Sequence, residues 1–351
     1  MTLDQHKLQA FLERFATDQA AAMHAATVVL GDELGLYRTL ADGPQTATEL
    51  AARTGCQPRL VREWLNAQTV SGYCEYDSPS DCYSLTAEQA ACLADPTSPT
   101  FVAGGALVVS SVHKDTERVR RAFTEDGGLG WGEHHQDLFT GTERFFGPVY
   151  RANLVPAWIP ALDGVEDKLR AGARVADIGC GHGAALILLA NAFPRSTFSG
   201  FDYHPESIDA ARKAVAEAGV SDRVTFEVAG AEDFPGEDYD LICVFNALHE
   251  WGDPVRAARH IRDALAPDGT WMFTEPCAAD HVEDDHSVFG RTFYSVSTMV
   301  CTPSALSQGA TDALGAQAGE TALGTVVGEA GFTRFRRATE TPAFMVLEAR
   351  P

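Results

Sequence analysis

The eight cysteines of this chain form no C-x-x-C pair. They are scattered from Cys56, Cys74, Cys82 and Cys92 to Cys180, Cys243, Cys277 and Cys301. That spacing suits neither a zinc site nor a disulfide framework, and it reads as reduced thiols in a cytoplasmic protein. Basic residues are also scarce, with 27 Lys and Arg against 49 Asp and Glu and a formal net charge of −22. Polyanion binding draws most of its affinity from Lys and Arg on phosphates, so this balance argues strongly against a nucleic-acid partner. A basic helix that could hold an anionic membrane is missing too. The longest apolar run, FVAGGALVV at 101–109, is too short to span a bilayer. The opening MTLDQHKLQAFLERF carries acids and an amphipathic spacing of Leu8, Phe11 and Phe15, unlike a signal peptide. What remains is an ordinary globular composition, 45% hydrophobic and 22% charged over 351 residues, enough for two domains.

Residues 1–95 read as a mainly helical domain. AAMHAATVVLGDELGLYRTLADG has helical spacing and runs to Gly43. Thr46 and Glu49 make a capping box for the next helix. QPRLVREWLNAQTVSGY continues as a helix, and YCEYDSPSDCYSLT as a short hairpin. Helix–turn–helix followed by a hairpin is a winged-helix pattern. Its charge is wrong for DNA, with six Lys/Arg against thirteen Asp/Glu over 1–95, a net of −7. Dimerisation, or walling a pocket, is the better use. Residues 96–165 read as a helical connector and substrate cap. There Trp131, His134, His135, Phe146 and Tyr150 either fill an interdomain core or line a substrate cavity. Adjacent histidines face different ways, so His134 and His135 are a poor metal pair, and no metal site is expected.

From 166 to 351 short β-rich runs (RVADIG, TFSGFD, VTFEVAG, LICVFN, TWMFTEP) alternate with helical stretches, which implies a parallel sheet covered on both faces. Two more strand-like runs, FTRFRRATE and AFMVLEAR, finish the chain. Ligands of such sheets bind outside the carboxyl ends of the strands. The first run ends in VADIGCGHGA, with Asp177 before Gly179, Gly181 and Gly183. Gly179, Gly181 and Ala184 satisfy G-x-G-x-x-[GA], so this loop alone fits a dinucleotide or S-adenosylmethionine equally. The second run ends in Asp202 of SGFDYH, an acid able to accept from both hydroxyls of a ribose. The third ends in AGAEDF and the fourth in FNALHEWGDP, which packs Asn246, His249, Glu250, Trp251 and Asp253 into one turn.

Taken together, Asp177, the strand-four turn and the terminal strand pair resemble class I S-adenosylmethionine-dependent methyltransferases. The narrower likeness is to the group with an N-terminal winged-helix domain, which includes small-molecule O-methyltransferases and uncharacterised bacterial relatives. It covers nearly the whole chain and is most specific over 174–276. The fold it implies is α/β, a Rossmann-like seven-stranded sheet, mostly parallel with one antiparallel strand near the C-terminus, behind the helical domain. S-adenosylmethionine is the implied cofactor. Asp177, Gly179, Cys180 and Gly181 would line its methionine end, Asp202 would bind its ribose, Ala231 and Glu232 would flank its adenine, Asn246 would lie beneath it, and Tyr203 is a further cofactor-side residue. Relatives often carry an acid where this chain has Gly230, so Glu232 or a backbone group must take the base contact.

The likeness also implies that His249, in LHEWGD, deprotonates an acceptor hydroxyl; the competing reading is a histidine packed under the sheet edge. Glu320 is a second carboxylate that could orient such a base. Cys301 reads as a buried inert thiol. Trp131, His134, Tyr150 and Tyr294 are the substrate-side candidates, while His286 gains no role from its spacing. The expected protein is a cytoplasmic homodimer, joined through its N-terminal domain, that methylates a small organic molecule. The rivals are a cofactor-sensing winged-helix regulator without catalysis and an NAD(P)-binding oxidoreductase.

Overall fold

The computed structural model describes residues 3–125 and 127–351; the first two residues of the expected N-terminal domain lie outside it. The chain divides into two compact units. One comprises Met1–His113 with Gln136–Val149, the other Lys114–His135 with Tyr150–Pro351. The stretch expected as a single connector, 96–165, is thus shared between them. Close backbone approach explains part of this. Within the first unit, a Cβ on Gly104 would lie 2.7 Å from Arg144 and one on Gly141 2.9 Å from Val108. In the second unit, Leu129 N–H donates to the Pro303 carbonyl at 3.0 Å.

The first unit opens with the helix Gln5–Glu33, whose N-cap Asp4 accepts from His6 N–H and Lys7 N–H. Gly35, at φ 67°, ends the helical run expected to reach Gly43 and starts a separate short helix, Leu36–Leu40. Thr46 and Glu49 form the expected capping box on Ala47–Thr54, and Pro58 begins Pro58–Val70. β1 (Glu75–Asp77) and β2 (Cys82–Ser84) pair antiparallel as the wing. Tyr37, Leu40, Leu50, Trp64 and Leu65 are buried at the centre. There the buried Gln68 accepts from Tyr37 Oη at 2.6 Å and donates to Thr27 Oγ1 at 2.9 Å, which satisfies its amide away from water.

The second unit is built on seven strands: β3 (Arg174–Ile178), β4 (Thr197–Asp202), β5 (Val224–Val228), β6 (Tyr239–Phe245), β7 (Leu265–Pro276), β8 (Arg334–Glu340) and β9 (Phe344–Arg350). Their order is β5-β4-β3-β6-β7-β9-β8. β3 to β7 pair in parallel, and β9 runs antiparallel to both of its neighbours. The parallel strands read as continuous apolar runs because both faces are covered; Leu241, Ile242, Cys243 and Val244 of β6 are all buried. Trp271 and Phe273 of β7 stack at 4.3 Å. Between them and the helices Pro254–Ala264 and Gly319–Glu329 lie Ile261, Leu323 and Val327, all in one core. The strand order reverses between β3 and β6, and that reversal opens a crevice at their carboxyl ends.

Gly183, which starts the helix Ala184–Ala192, sits at φ 77°, and a Cβ there would lie 2.5 Å from the Phe226 ring. A left-handed backbone and an overpacked contact add. Gly183→Ala is therefore expected to lower unfolding free energy by about 2–4 kcal/mol, measured by urea denaturation. A loss below about 0.5 kcal/mol would contradict this packing.

Candidate active site

Two loops meet at the strand-order reversal. After β3, the N–H groups of Gly179 and Cys180 both donate to the Phe201 carbonyl, at 2.8 and 3.0 Å. Gly181 N–H donates to Asp202 Oδ2 at 2.9 Å. Asp202, at the end of β4, also accepts from His204 N–H through Oδ1 at 2.9 Å. One carboxylate therefore ties the glycine loop to the turn beyond the next strand. Gly181 stands at φ 52°, and a Cβ built on it meets no atom within 4 Å. The loop is pinned on one side and leaves room on the other.

Asp177 is buried, and its Oδ1 has no partner among the described residues. Burial, and then the Asp202 charge, holds its carboxyl well above the usual carboxylate range. Burial also raises the Asp202 carboxyl, against the two backbone hydrogen bonds that lower it. Asn246, just after β6, has a positive φ of 53°. Its N–H donates to the Thr274 carbonyl at 2.9 Å and its Nδ2 to Thr274 Oγ1 at 3.0 Å. This locks the amide with a buried, unpartnered Oδ1. The vacant Asp177 and Asn246 oxygens, with buried Asp202 near Asp177, suit a ligand bearing an ammonium or other cationic donor. A pyrophosphate would add negative charge where it is already in excess. The residues present fit S-adenosylmethionine.

His249 lies three residues beyond Asn246 on the turn Leu248–Glu250 and is buried. Its Nδ1 donates to Glu275 Oε2 at the end of β7, and its Nε2 is 3.9 Å from Glu250 Oε1. Burial pulls the imidazole pKa down, but Glu275 and then Glu250 outweigh it and leave the pKa above its ordinary value. Burial raises the Glu250 carboxyl and, with the Glu250 charge, the Cys301 thiol. The carboxylate that orients His249 is thus Glu275, which the sequence reading left without a role. The acid ending TWMFTEP was the available signal. Glu320 does not orient His249; it is held by Arg337 Nε at 2.9 Å.

The remaining candidates fall into two groups. Tyr150 is buried and packs on Phe245 at 5.1 Å, at the end of β6; burial and then Asp177 raise its phenol pKa. The Tyr203 phenol is pushed up to about 12, mainly by burial, with Ser304 and the Trp131 backbone opposing the rise. A Cβ on Gly132, beside Trp131, would lie 2.9 Å from His204. These residues cluster near the loop ends. Further out, Glu232 is paired with Arg256 at 2.9 Å, and its neighbour Ala231 packs against the sheet core. His134 is buried; its Nδ1 donates to Asp115 Oδ2 at 3.0 Å, and Arg118 holds the other Asp115 oxygen at 2.6 Å. Tyr294 lies on the helix Val288–Val296 and is 37% exposed.

Comparison with known proteins points to methyltransferases. A methyltransferase domain model matches residues 169–326, and an Rv2258c-like winged HTH domain model matches residues 21–95. The mitomycin biosynthesis 6-O-methyltransferase of Streptomyces lavendulae is 26% identical over 80% of this chain and 79% of its own length. Trans-aconitate 2-methyltransferase of Streptomyces avermitilis is 37% identical, over only 32% of this chain and 42% of its own. Among solved structures, the mitomycin 7-O-methyltransferase MmcR superposes with a TM-score of 0.71 at 21% identity, covering 99% of this chain and all of that one. Human N-acetylserotonin methyltransferase, solved with S-adenosylmethionine, gives 0.69 at 19% identity, covering 99% and 98%.

Because the Asp177 pKa is raised by folding, its penalty to stability is absent below the ordinary carboxylate range and fully present above the raised pKa. Asp177→Asn is expected to raise the melting temperature of ligand-free protein at neutral pH by roughly 2 °C or more. At about pH 3 the difference should vanish. Calorimetry showing a lower melting temperature at neutral pH would contradict the vacancy at Oδ1.

Proposed function

Since the chain is a class I S-adenosylmethionine-dependent methyltransferase behind a winged helix–turn–helix domain, we propose that it methylates a hydroxyl of a small organic molecule, with His249 as the general base. The observation that carries this reading is the buried His249–Glu275 pair. When bound, the cofactor supplies an activated methyl group on a sulfonium. Asp177 and Asn246 would hold its amino-acid end through their unpartnered oxygens. Gly179, Cys180 and Gly181 would shape that end of the site, Asp202 would accept from the ribose hydroxyls, and Tyr203, Ala231 and Glu232 would flank the base.

With Nδ1 committed to Glu275, His249 presents the Nε2 lone pair to the acceptor. It would take the acceptor's hydroxyl proton, and the Glu275 carboxylate would stabilise the resulting imidazolium. General-base help of this kind is worth about 10²–10⁴-fold; alignment of acceptor and methyl carbon supplies the rest. Trp131, His134, Tyr150 and Tyr294 are the acceptor-side residues in this reading. Relatives named for O-methylation support oxygen as the accepting atom, among them a 27-O-demethylrifamycin SV methyltransferase and a fatty-acid O-methyltransferase, while a dimethylglycine N-methyltransferase is similar too.

Neither rival gains support. The buried acids oppose a dinucleotide pyrophosphate. A DNA-reading role for the winged helix is opposed by its own ion pairs: Arg59 bonds Glu63 at 2.5 Å and Arg62 bonds Asp81 at 3.0 Å. Those are the two arginines of the helix Pro58–Val70. We further propose a cytoplasmic homodimer. Eight free thiols support a reducing compartment. Phe11, Leu12, Phe15 and Met23, 51–72% exposed on the helix Gln5–Glu33, support pairing through the N-terminal domain. Sedimentation velocity of Phe11→Asp/Phe15→Asp is expected to show monomer where the parent shows dimer; an unchanged dimer would rule out this face.

A panel of hydroxylated aromatic and aliphatic compounds is expected to release S-adenosylhomocysteine, and their O-methyl ethers to release none. With the best acceptor, His249→Ala should lower turnover by about 10²–10⁴-fold while S-adenosylhomocysteine affinity in calorimetry stays within about twofold. Asp202→Ala should do the reverse, weakening that affinity by on the order of tenfold or more. Loss of cofactor affinity in His249→Ala would defeat the base assignment.

A further inference from the structure

Cys301 takes no part in the methyl transfer proposed above, yet it shares a buried corner with His249 and Glu250. One imidazole nitrogen, one carboxylate oxygen and one sulfur from these residues all lie within 4.8 Å of one another. His249 Nε2 and Glu250 Oε1 are 3.9 Å apart. Even were every side of the triangle at the 4.8 Å limit, its centre would lie about 2.8 Å from each atom. That is about 0.5 Å beyond a zinc–sulfur bond of about 2.3 Å and about 0.6–0.8 Å beyond zinc–nitrogen and zinc–oxygen bonds of about 2.0–2.2 Å. Small side-chain rotations close such a gap.

Three further observations bear on what could sit there. The donor set is one nitrogen, one oxygen and one sulfur, which suits a borderline-soft cation and not magnesium or calcium. Glu275 accepts from His249 Nδ1, the carboxylate–histidine arrangement that fixes the tautomer and aims the other nitrogen at a metal. Glu250 keeps a 17% exposed side chain beside the buried His249 and Cys301, which gives an ion a way in. Among the described residues, this is the one group of three such side chains that lie so close together. Its ligands come from two distant stretches, the turn Leu248–Glu250 and the helical segment Ser297–Cys301, so no sequence spacing announces it.

We propose that His249, Glu250 and Cys301 form a three-ligand zinc site with a fourth position open, and that filling it inhibits the enzyme. On binding, the Cys301 thiol gives its proton to solvent and the thiolate bonds the metal; no electron moves. The Nε2 lone pair is then given to the metal and is lost to the acceptor. The inhibitory consequence rests on His249 being the base; the site itself does not.

The test uses the full chain, reduced with a non-chelating phosphine and stripped with EDTA. Titration with CoCl₂ is expected to give a near-ultraviolet thiolate-to-cobalt band that saturates at one equivalent and is displaced by ZnCl₂. Cys301→Ser should remove the band and weaken zinc binding, by competition with a chromophoric chelator, at least about 100-fold. Its circular dichroism and basal methyl transfer should match the parent. Saturating ZnCl₂ should lower the parent's turnover at least about tenfold, reversibly with EDTA, and spare Cys301→Ser. An unchanged cobalt band in Cys301→Ser, or none in the parent, overturns the site. Stoichiometric, Cys301-dependent zinc with undiminished turnover overturns the inhibition and counts against His249 as base. The two failures are therefore distinguishable.

Discussion

The second unit is organised around negative charge that folding leaves uncompensated. Asp177 and Asp202 end neighbouring strands, are both buried, and interact unfavourably. In a low-dielectric interior such a pair is costly unless a cation or a set of donors arrives. Asp202 is partly relieved by the backbone of the glycine loop and of the next turn. Asp177 is not. The crevice therefore asks for a ligand whose charge is positive, and the same imbalance separates a sulfonium nucleoside from a dinucleotide better than any glycine pattern does. Sites of this kind spend stability to gain recognition.

The sheet then places a buried histidine–carboxylate pair beside this crevice. β6 leads into Asn246 and, three residues on, His249; the parallel neighbour β7 supplies Thr274 to the former and Glu275 to the latter. The register Phe245↔Thr274 fixes both contacts at once. A one-residue slip would move the carboxylate to the other face of β7 and leave His249 buried without a partner. The contacts that hold Asn246 and His249 are thus set by a single strand pairing.

How much of this the sequence discloses depends on how local each feature is. The Thr46 capping box, the wing, the seven strand runs and the acid closing β4 are written in short spacings, and the structure has them where those spacings put them. Glu275 was harder, because its significance comes from the β6–β7 register and not from its neighbours in sequence. Glu320 looked available to His249 and is instead engaged by Arg337. The Asp115–His134 pair joins residues 19 apart across a glycine-rich stretch, with no periodicity to reveal it. Of the glycines in the first helical run, Gly31 has no positive φ while Gly35 does. Only the backbone tells them apart.

The placement of β9 has a consequence for the order in which the molecule can be assembled. β8 has a single hydrogen-bonding neighbour, β9, and β7 meets the same strand on its outer side. Until the seven-residue β9 is threaded between them, β8 has nothing to join and the outer flank of β7, buried in the finished sheet, stays bare. Completion of this half of the sheet is a late, non-local event. A released chain cut before residue 344 would carry β7 and β8 with edges that β9 otherwise pairs.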